Sequence, residues 1–377
     1  MVDAIEHSPP ARSLGFRIKA ARDALSLNQG QLSDALGLKD RQTISAIENG
    51  ERQVKPAELV QLSKLLKRDI DYFVDPFVVA GEAQFSWRAA DAVPGDALDA
   101  FEARAGRWIG LLRFLRQRHA RTTNPFGMVL RLTKRSSYED ALTTGEAVAQ
   151  ALDLGSVPAH RLMEKIETAL DIPVLFVDAI APSLGGGISG ATCHLPDLGV
   201  ILIDRNEPQA RRHFDLAHEL FHILTWDAMR PDHRESNSSG ARSKNKRVEE
   251  LANNFASALL MPRACLTKFI DDRQIGNVSH LTDVANQLQV SPSALAWRLF
   301  NANMIDATTR LALCQVSQSD CSALPPKRFS ASFVELLHSG IHHGHVAARK
   351  VAKALDLTLP ELSDLFAEHS KPAPFAL

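Results

Sequence analysis

Two histidines four residues apart with a glutamate between them, His218-Glu219-Leu220-Phe221-His222, are the residues best spaced to do chemistry. On a helix, positions i and i+4 share a face, so both imidazoles can present a ring nitrogen to one metal ion. Glu219 then stands beside that ion, placed to take the proton of a metal-activated water. Such a set is the working core of a zinc hydrolase. The plain alternative is a pair of histidines packed in an ordinary core helix.

The elements that must position this set can be read from the flanks. Phe214, Leu216, Ala217, Leu220, Phe221, Ile223 and Leu224 are apolar at helical spacing, and no Pro or Gly interrupts residues 209–225. Residues 210–226 are therefore expected to form a buried helix. An open zinc site needs a third protein ligand. Residues 248–261, stopped by Pro262, read as a second helix with Glu249 and Glu250 in its first turn. Carboxylates suit the helix dipole there in any case, so they are either ligand candidates or ordinary N-terminal acids.

The stretches Phe214-Asp215-Leu216-Ala217-His218-Glu219-Leu220-Phe221-His222, Glu249-Glu250-Leu251-Ala252-Asn253-Asn254-Phe255-Ala256 and Leu259-Leu260-Met261-Pro262 together resemble the ImmA/IrrE family of bacterial zinc metallopeptidases. The resemblance implies that His218, His222 and Glu249 ligate Zn2+ and that Glu219 is the general base. It selects Glu249 over Glu250, because Glu249 stands three residues before Ala252. Phe221 replaces a glycine common at that place in the family and removes no ligand.

A second signature lies at the N-terminus. Residues 14–27 read as a helix with Ile18, Ala21 and Leu25 on one side. Residues 28–38 read as a short helix ended by Gly37, residues 39–50 as the next, ended by Asn49-Gly50, and residues 54–66 as a further helix opened near Pro56. Helix, tight turn and helix is helix-turn-helix spacing. Gln29, Leu32, Leu36, Gly37, Thr43, Ile44, Ser45, Ile47, Glu48, Gly50 and Arg52 resemble the Cro/repressor-type (XRE) DNA-binding domain. The resemblance implies that the helix opened by Arg41-Gln42-Thr43 enters the major groove of double-stranded operator DNA. Arg41, Gln42, Thr43 and Ser45 are then candidates for base edges. Gln29, Lys39, Arg52 and Lys55 are candidates for phosphates. Residues 12–70 carry 11 Lys/Arg against 7 Asp/Glu, while the whole chain sums to −1. A local basic excess on a near-neutral protein suits a sequence reader. A bundle used only for protein contacts is the alternative.

The rest of the chain fills in around these modules. At 377 residues and 45% hydrophobic, it can build two or three cored domains. Its apolar runs are too short to span a bilayer, and residues 1–10 lack the pattern of a signal peptide. Cys193, Cys265, Cys314 and Cys321 form no CxxC pair. Cys314 and Cys321 are near enough in sequence for a disulfide, but a reduced, cytoplasmic state is expected. Residues 81–95 read as a connecting segment with Phe85-Ser86-Trp87-Arg88 as an anchor. Residues 96–119 read as a long amphipathic helix, and 144–170 as two helices. Strands are expected at 174–178, 188–194 and 199–204, and the strand before the HExxH helix is where zincin-type peptidases hold extended substrate by edge pairing. The alternative is a purely structural sheet. Gly185-Gly186-Gly187 is a turn. The polar residues 227–246 are expected to form a lid or a disordered loop, with His233 a solvated side chain rather than an oxyanion donor. Residues 290–299 read as scaffold for the peptidase core. The cluster His338, His342, His343 and His345 reads as surface histidines rather than a metal site.

The expected architecture is multidomain and mainly α: an all-α helix-turn-helix bundle at 12–75, a helical connector at 76–170, an α+β zincin-like metallopeptidase domain at 171–305 and a mainly helical region at 306–377. The expected partners are operator DNA and either a repressor-like protein substrate or a cognate toxin. A homodimer is expected from two half-sites.

Overall fold

The computed structural model describes residues 11–119, 128–179, 187–236, 245–316 and 324–376. By contacts it divides into two compact units. One comprises Met1–Gln84, Asp99–Thr122 and Glu335–Leu377, the other Phe85–Leu98 and Thr123–Val334.

The first unit is helical. It opens with α1 (Ala11–Ala24), α2 (Gln29–Ala35), α3 (Arg41–Glu48), α4 (Pro56–Leu65) and α5 (Ile70–Val74). Local chemistry sets the boundaries. Asn28 caps α2 by accepting from the Gln31 amide, and Asp40 caps α3 by accepting from the Thr43 amide. Gly37 and Gly50 follow the two helices with φ of +66° and +76°, a conformation that favours glycine. Ile18, Ala21, Leu32, Ile44, Ile47, Leu62, Leu66 and Phe73 form the buried core. Gly15 lets α1 approach α3 closely, since a Cβ there would lie 2.4 Å from the Glu48 carbonyl oxygen. Most of α6 (Gly95–Arg118) and α15 (Ala331–His342), with α16 (Ala348–Ala354) and α17 (Leu359–Glu368), completes this unit.

The second unit holds a five-stranded sheet in the order β2-β4-β3-β1-β5. The strands are β1 (Gln84–Ala89), β2 (Val174–Val177), β3 (Ile188–Leu195), β4 (Leu198–Asp204) and β5 (Arg234–Ser236). β3 and β4 form an antiparallel pair, β2 joins β4 in parallel, and β5 joins β1 in parallel with Arg88 opposite Glu235. Two expectations are corrected. Residues 84–89 are a strand rather than a connecting segment, because Phe85, Trp87 and Ala89 alternate with Gln84, Ser86 and Arg88 at the period of a pleated sheet. The strand that precedes the HExxH helix, β4, lies between β2 and β3, so both its edges are paired and it cannot hold an extended substrate.

The helix α9 (Gln209–Thr225) packs on β3 and β4, and α10 (Lys246–Leu260) lies against it. The helices α7 (Tyr138–Ala151) and α8 (Pro158–Ala169) share the same apolar core through Ala141, Val148, Leu162 and Ile166. At Gly145 an added Cβ would lie 2.5 Å from the Phe255 carbonyl oxygen, so α7 and α10 meet backbone to backbone. The core continues into α11 (Arg263–Phe269), α12 (Val278–Leu288), α13 (Pro292–Asn301) and α14 (Ala307–Cys314). Leu281, Val284, Leu288, Leu295 and Leu299 face it, as expected of scaffold. Cys265 and Cys314 carry no disulfide, and Cys321, like Gly185 and Gly186 of the glycine turn and residues 237–244 of the expected lid, lies outside the described residues.

Candidate metal centre and helix-turn-helix surface

The helical spacing of α9 brings its two histidines together as required. His218 Nε2 and His222 Nε2 stand 3.0 Å apart, both fully buried. From the first turn of α10, Glu249 Oε2 comes to 3.3 Å from His218 Nε2 and 3.7 Å from His222 Nε2. Its neighbour Glu250 turns away to accept a hydrogen bond from the Tyr138 hydroxyl. The sequence reading missed a fourth member. Glu235, on β5, is 5% exposed and sets Oε1 3.2 Å from His222 Nε2 and Oε2 3.4 Å from His218 Nε2.

These residues fit a metal ion. Each offers one ligand atom, and the four atoms lie within 4.8 Å of one another. His218 Nδ1–H donates to Asn253 Oδ1 at 3.0 Å, which leaves the Nε2 lone pair aimed at the centre. Glu235 Oε2 and Glu249 Oε1 are buried without a hydrogen bond, an arrangement that costs free energy unless a cation compensates it. Protonation shows the same demand for positive charge. Burial alone would lower His222, yet Glu235 and Glu249 outweigh it and push it up to about 9. Burial also opposes a charged Glu249, yet the two imidazoles hold its carboxyl far below the usual carboxylate range.

Glu219 is a different kind of carboxylate. It is fully buried, and burial together with neighbouring Glu235 pushes it up to about 7. Thr192 Oγ1, on β3, donates to its Oε2 at 2.6 Å, while Oε1 has no hydrogen-bond partner. On the same helix as Glu219, buried Asp215 takes an ion pair from Arg88 at 3.4 Å and another from Arg211 at 3.2 Å. Arg88 also lines a cleft of about 690 Å³ with Phe214, Asn253, Asn254 and Trp297. Because Asn253 orients His218, this cleft abuts the metal site.

Signals for some of the missed residues exist. Asn253 stands four residues after Glu249 on one helix face, and Ser86, which donates to Glu235 Oε1 at 2.8 Å, is two residues from Arg88 on one strand face. Glu235 has none, for it sits in the polar run Asp232-His233-Arg234-Glu235-Ser236, which reads as solvated loop. His233 is exposed, as expected. Among the described residues, His338, His342, His343 and His345 form no group able to hold a metal ion.

In the first unit, Lys39, Arg41, Gln42 and Lys55 are exposed, and Gln29, Thr43, Ser45 and Arg52 are half-buried. Several are already engaged. Gln29 donates to Glu48 at 2.9 Å, Thr43 Oγ1 to Asp40 at 3.1 Å, and Arg52 clasps Glu58 with bonds of 2.6 and 3.1 Å. Beneath them, Arg22 and Glu48 form a buried ion pair at 2.6 Å.

Comparison with known proteins assigns both regions. Residues 18–73 match the helix-turn-helix family, and residues 178–300 match the IrrE N-terminal-like domain of the M78 peptidases. The chain is thus a fusion of an XRE-type helix-turn-helix domain with an ImmA/IrrE-type metallopeptidase-family domain. No curated protein matches it. Among solved structures, the apo form of the competence regulator ComR from Streptococcus vestibularis aligns at 13% identity over 95% of this chain and 93% of that one. The TM-score of that alignment is 0.17. Among the described residues, no helix is long and apolar enough to cross a membrane.

Proposed function

We propose that this protein is a DNA-associated zinc metallopeptidase that regulates transcription by cleaving a repressor-like partner. The observation that carries this reading is the buried pairing of Glu219 with Thr192 beside the histidine and glutamate set. A site that only held metal would have no use for a buried carboxylate anchored beside the ligands with one oxygen left unengaged. His218, His222 and Glu249 hold zinc, whose chemistry when bound is to polarise a peptide carbonyl and acidify water. Thr192 fixes one oxygen of Glu219 and leaves Oε1 to receive the proton. Buried beside the set with that oxygen unengaged, Glu219 is placed both to take that proton and to pass it to the leaving amine. The adjoining cleft, with Trp297 and Asn254, receives substrate side chains.

In the helix-turn-helix unit, Arg41 and Gln42 read base edges, and Lys39 and Lys55 contact phosphates. Arg52 and Gln29 serve mainly to brace the head, given their existing partners. The protein acts in the cytoplasm, as a homodimer on two half-sites. A second reading, a DNA-binding regulator or antitoxin-like protein whose zinc domain senses rather than cuts, draws support from the fourth carboxylate at the metal centre.

The test is Glu219→Gln, assayed against candidate repressor-like substrates. It should keep one zinc per chain and abolish cleavage, and cleavage by the variant would sink the peptidase reading. For the head, Arg41→Ala should weaken operator binding by about 1–3 kcal/mol and relax one base position.

A further inference from the structure

We propose that Glu235 is a fourth protein ligand that closes the metal centre, and that β5 is the element whose departure opens it. This inference rests on the zinc reading above and concerns how that site is regulated.

Glu235 is placed by construction rather than by chance. Its register opposite Arg88 in the parallel β1–β5 pair sets both side chains on one face of the sheet. Ser86 Oγ, two residues from Arg88 on the same strand, bonds to Glu235 Oε1 at 2.8 Å. The carboxylate is therefore held by the sheet while its other oxygen stands 3.4 Å from His218 Nε2. Its two oxygens are as near to the imidazoles as that of Glu249 is.

A tetrahedral site with four protein ligands is closed, whereas a hydrolytic one keeps a position for water. Two neutral imidazoles and two carboxylates also balance the charge of a dication, which makes the closed state electrostatically complete. The two carboxylates differ in how firmly they are mounted. Glu249 sits on the fifteen-residue α10, packed in the core. Glu235 sits on a three-residue strand at the sheet edge, hydrogen-bonded on one side only. Short edge elements open at lower cost than core helices. Glu235 is thus the ligand that can leave, and its departure exposes both a coordination position and the edge of β1.

The experiment uses the full chain loaded with Co2+ in place of zinc, with thiocyanate as a probe of an open position. The wild-type d–d spectrum should ignore thiocyanate, while Glu235→Gln should bind it with a clear spectral change. Zinc affinity, measured against a chelating dye, should fall roughly 10- to 100-fold or more in Glu235→Gln, at least the range seen when an orienting partner of a ligand is lost. Ser86→Ala, which leaves the carboxylate but not its anchor, should show an intermediate thiocyanate response. Thiocyanate binding by the wild type as tight as by the variant, with equal zinc affinities, would overturn the closed site. That result concerns the wild type first, so a poorly folded variant cannot mask it. A wild type that takes up neither Co2+ nor Zn2+ would instead overturn the zinc reading itself.

Discussion

The helix-turn-helix head and the metal centre both grow from a short helical signature, yet they are assembled in opposite ways. In the head, the groups that matter are close in sequence: Arg22, Gln29 and Glu48 meet across adjacent helices, and caps at Asn28 and Asp40 fix each turn. The metal centre gathers Ser86, Thr192, His218, Glu235 and Glu249 from three strands and two helices. The head is stiffened by local bonds, whereas the centre depends on long-range packing to bring like charges together. Its carboxylates repel one another unless something positive sits between them.

Four perturbations would sharpen or break this contrast. The largest effect is expected for His218→Ala, which should reduce bound zinc from one per chain to none by elemental analysis. Retained stoichiometric zinc would mean that the four converging groups are not the site. Next, Glu48→Gln leaves buried Arg22 with Asp23 as its remaining charged partner and should cost about 1–3 kcal/mol in denaturant unfolding. A cost under about 1 kcal/mol would show that the head is not organised around that pair. Third, Gly145→Ala drives a methyl into the α10 backbone and should cost about 1–3 kcal/mol, with weakened zinc binding because Glu249 rides on α10. Unchanged zinc affinity would uncouple the α7–α10 contact from the centre.

The smallest effect concerns acid. In the head, the bonds from Arg52 hold the Glu58 carboxyl below its ordinary range. A depressed carboxyl contributes stability that is present above its unfolded value and lost as pH falls through its folded value. Glu58→Ala should therefore lower stability by about 1 kcal/mol at neutral pH and flatten the acid limb of the unfolding profile. An identical acid limb in wild type and variant would remove Glu58 from that account.

How much was legible follows the same division. His218 and His222 could be paired because helical periodicity converts spacing into geometry, whereas Glu249 was separated from Glu250 only by the family resemblance, and the ends of α2 and α3 were readable from Gly37 and Asn49-Gly50. Strand pairs β3 and β4 were readable for the same local reason. The alternation in β1 was present but short, and it was absorbed into a connecting segment. Glu235 could not be read at all, since its role depends on a pairing between residues 87–89 and 234–236 that no local pattern announces. Nor could the interior place of β4, because strand order is a property of the whole sheet.

That same pairing has a consequence for how the domain is made. A parallel pair cannot close through a hairpin, so β1 must wait for β5 while the long intervening chain is ordered, a slow step in forming the native topology. On the ribosome, the two histidines emerge before either Glu235 or Glu249. A nascent chain that ends before α10 lacks an acid the centre needs, whatever metal is present. Capture of a metal at this centre would then belong to the last stage of folding, and an ion held there would act as a latch that slows unravelling of the elements that arrived last.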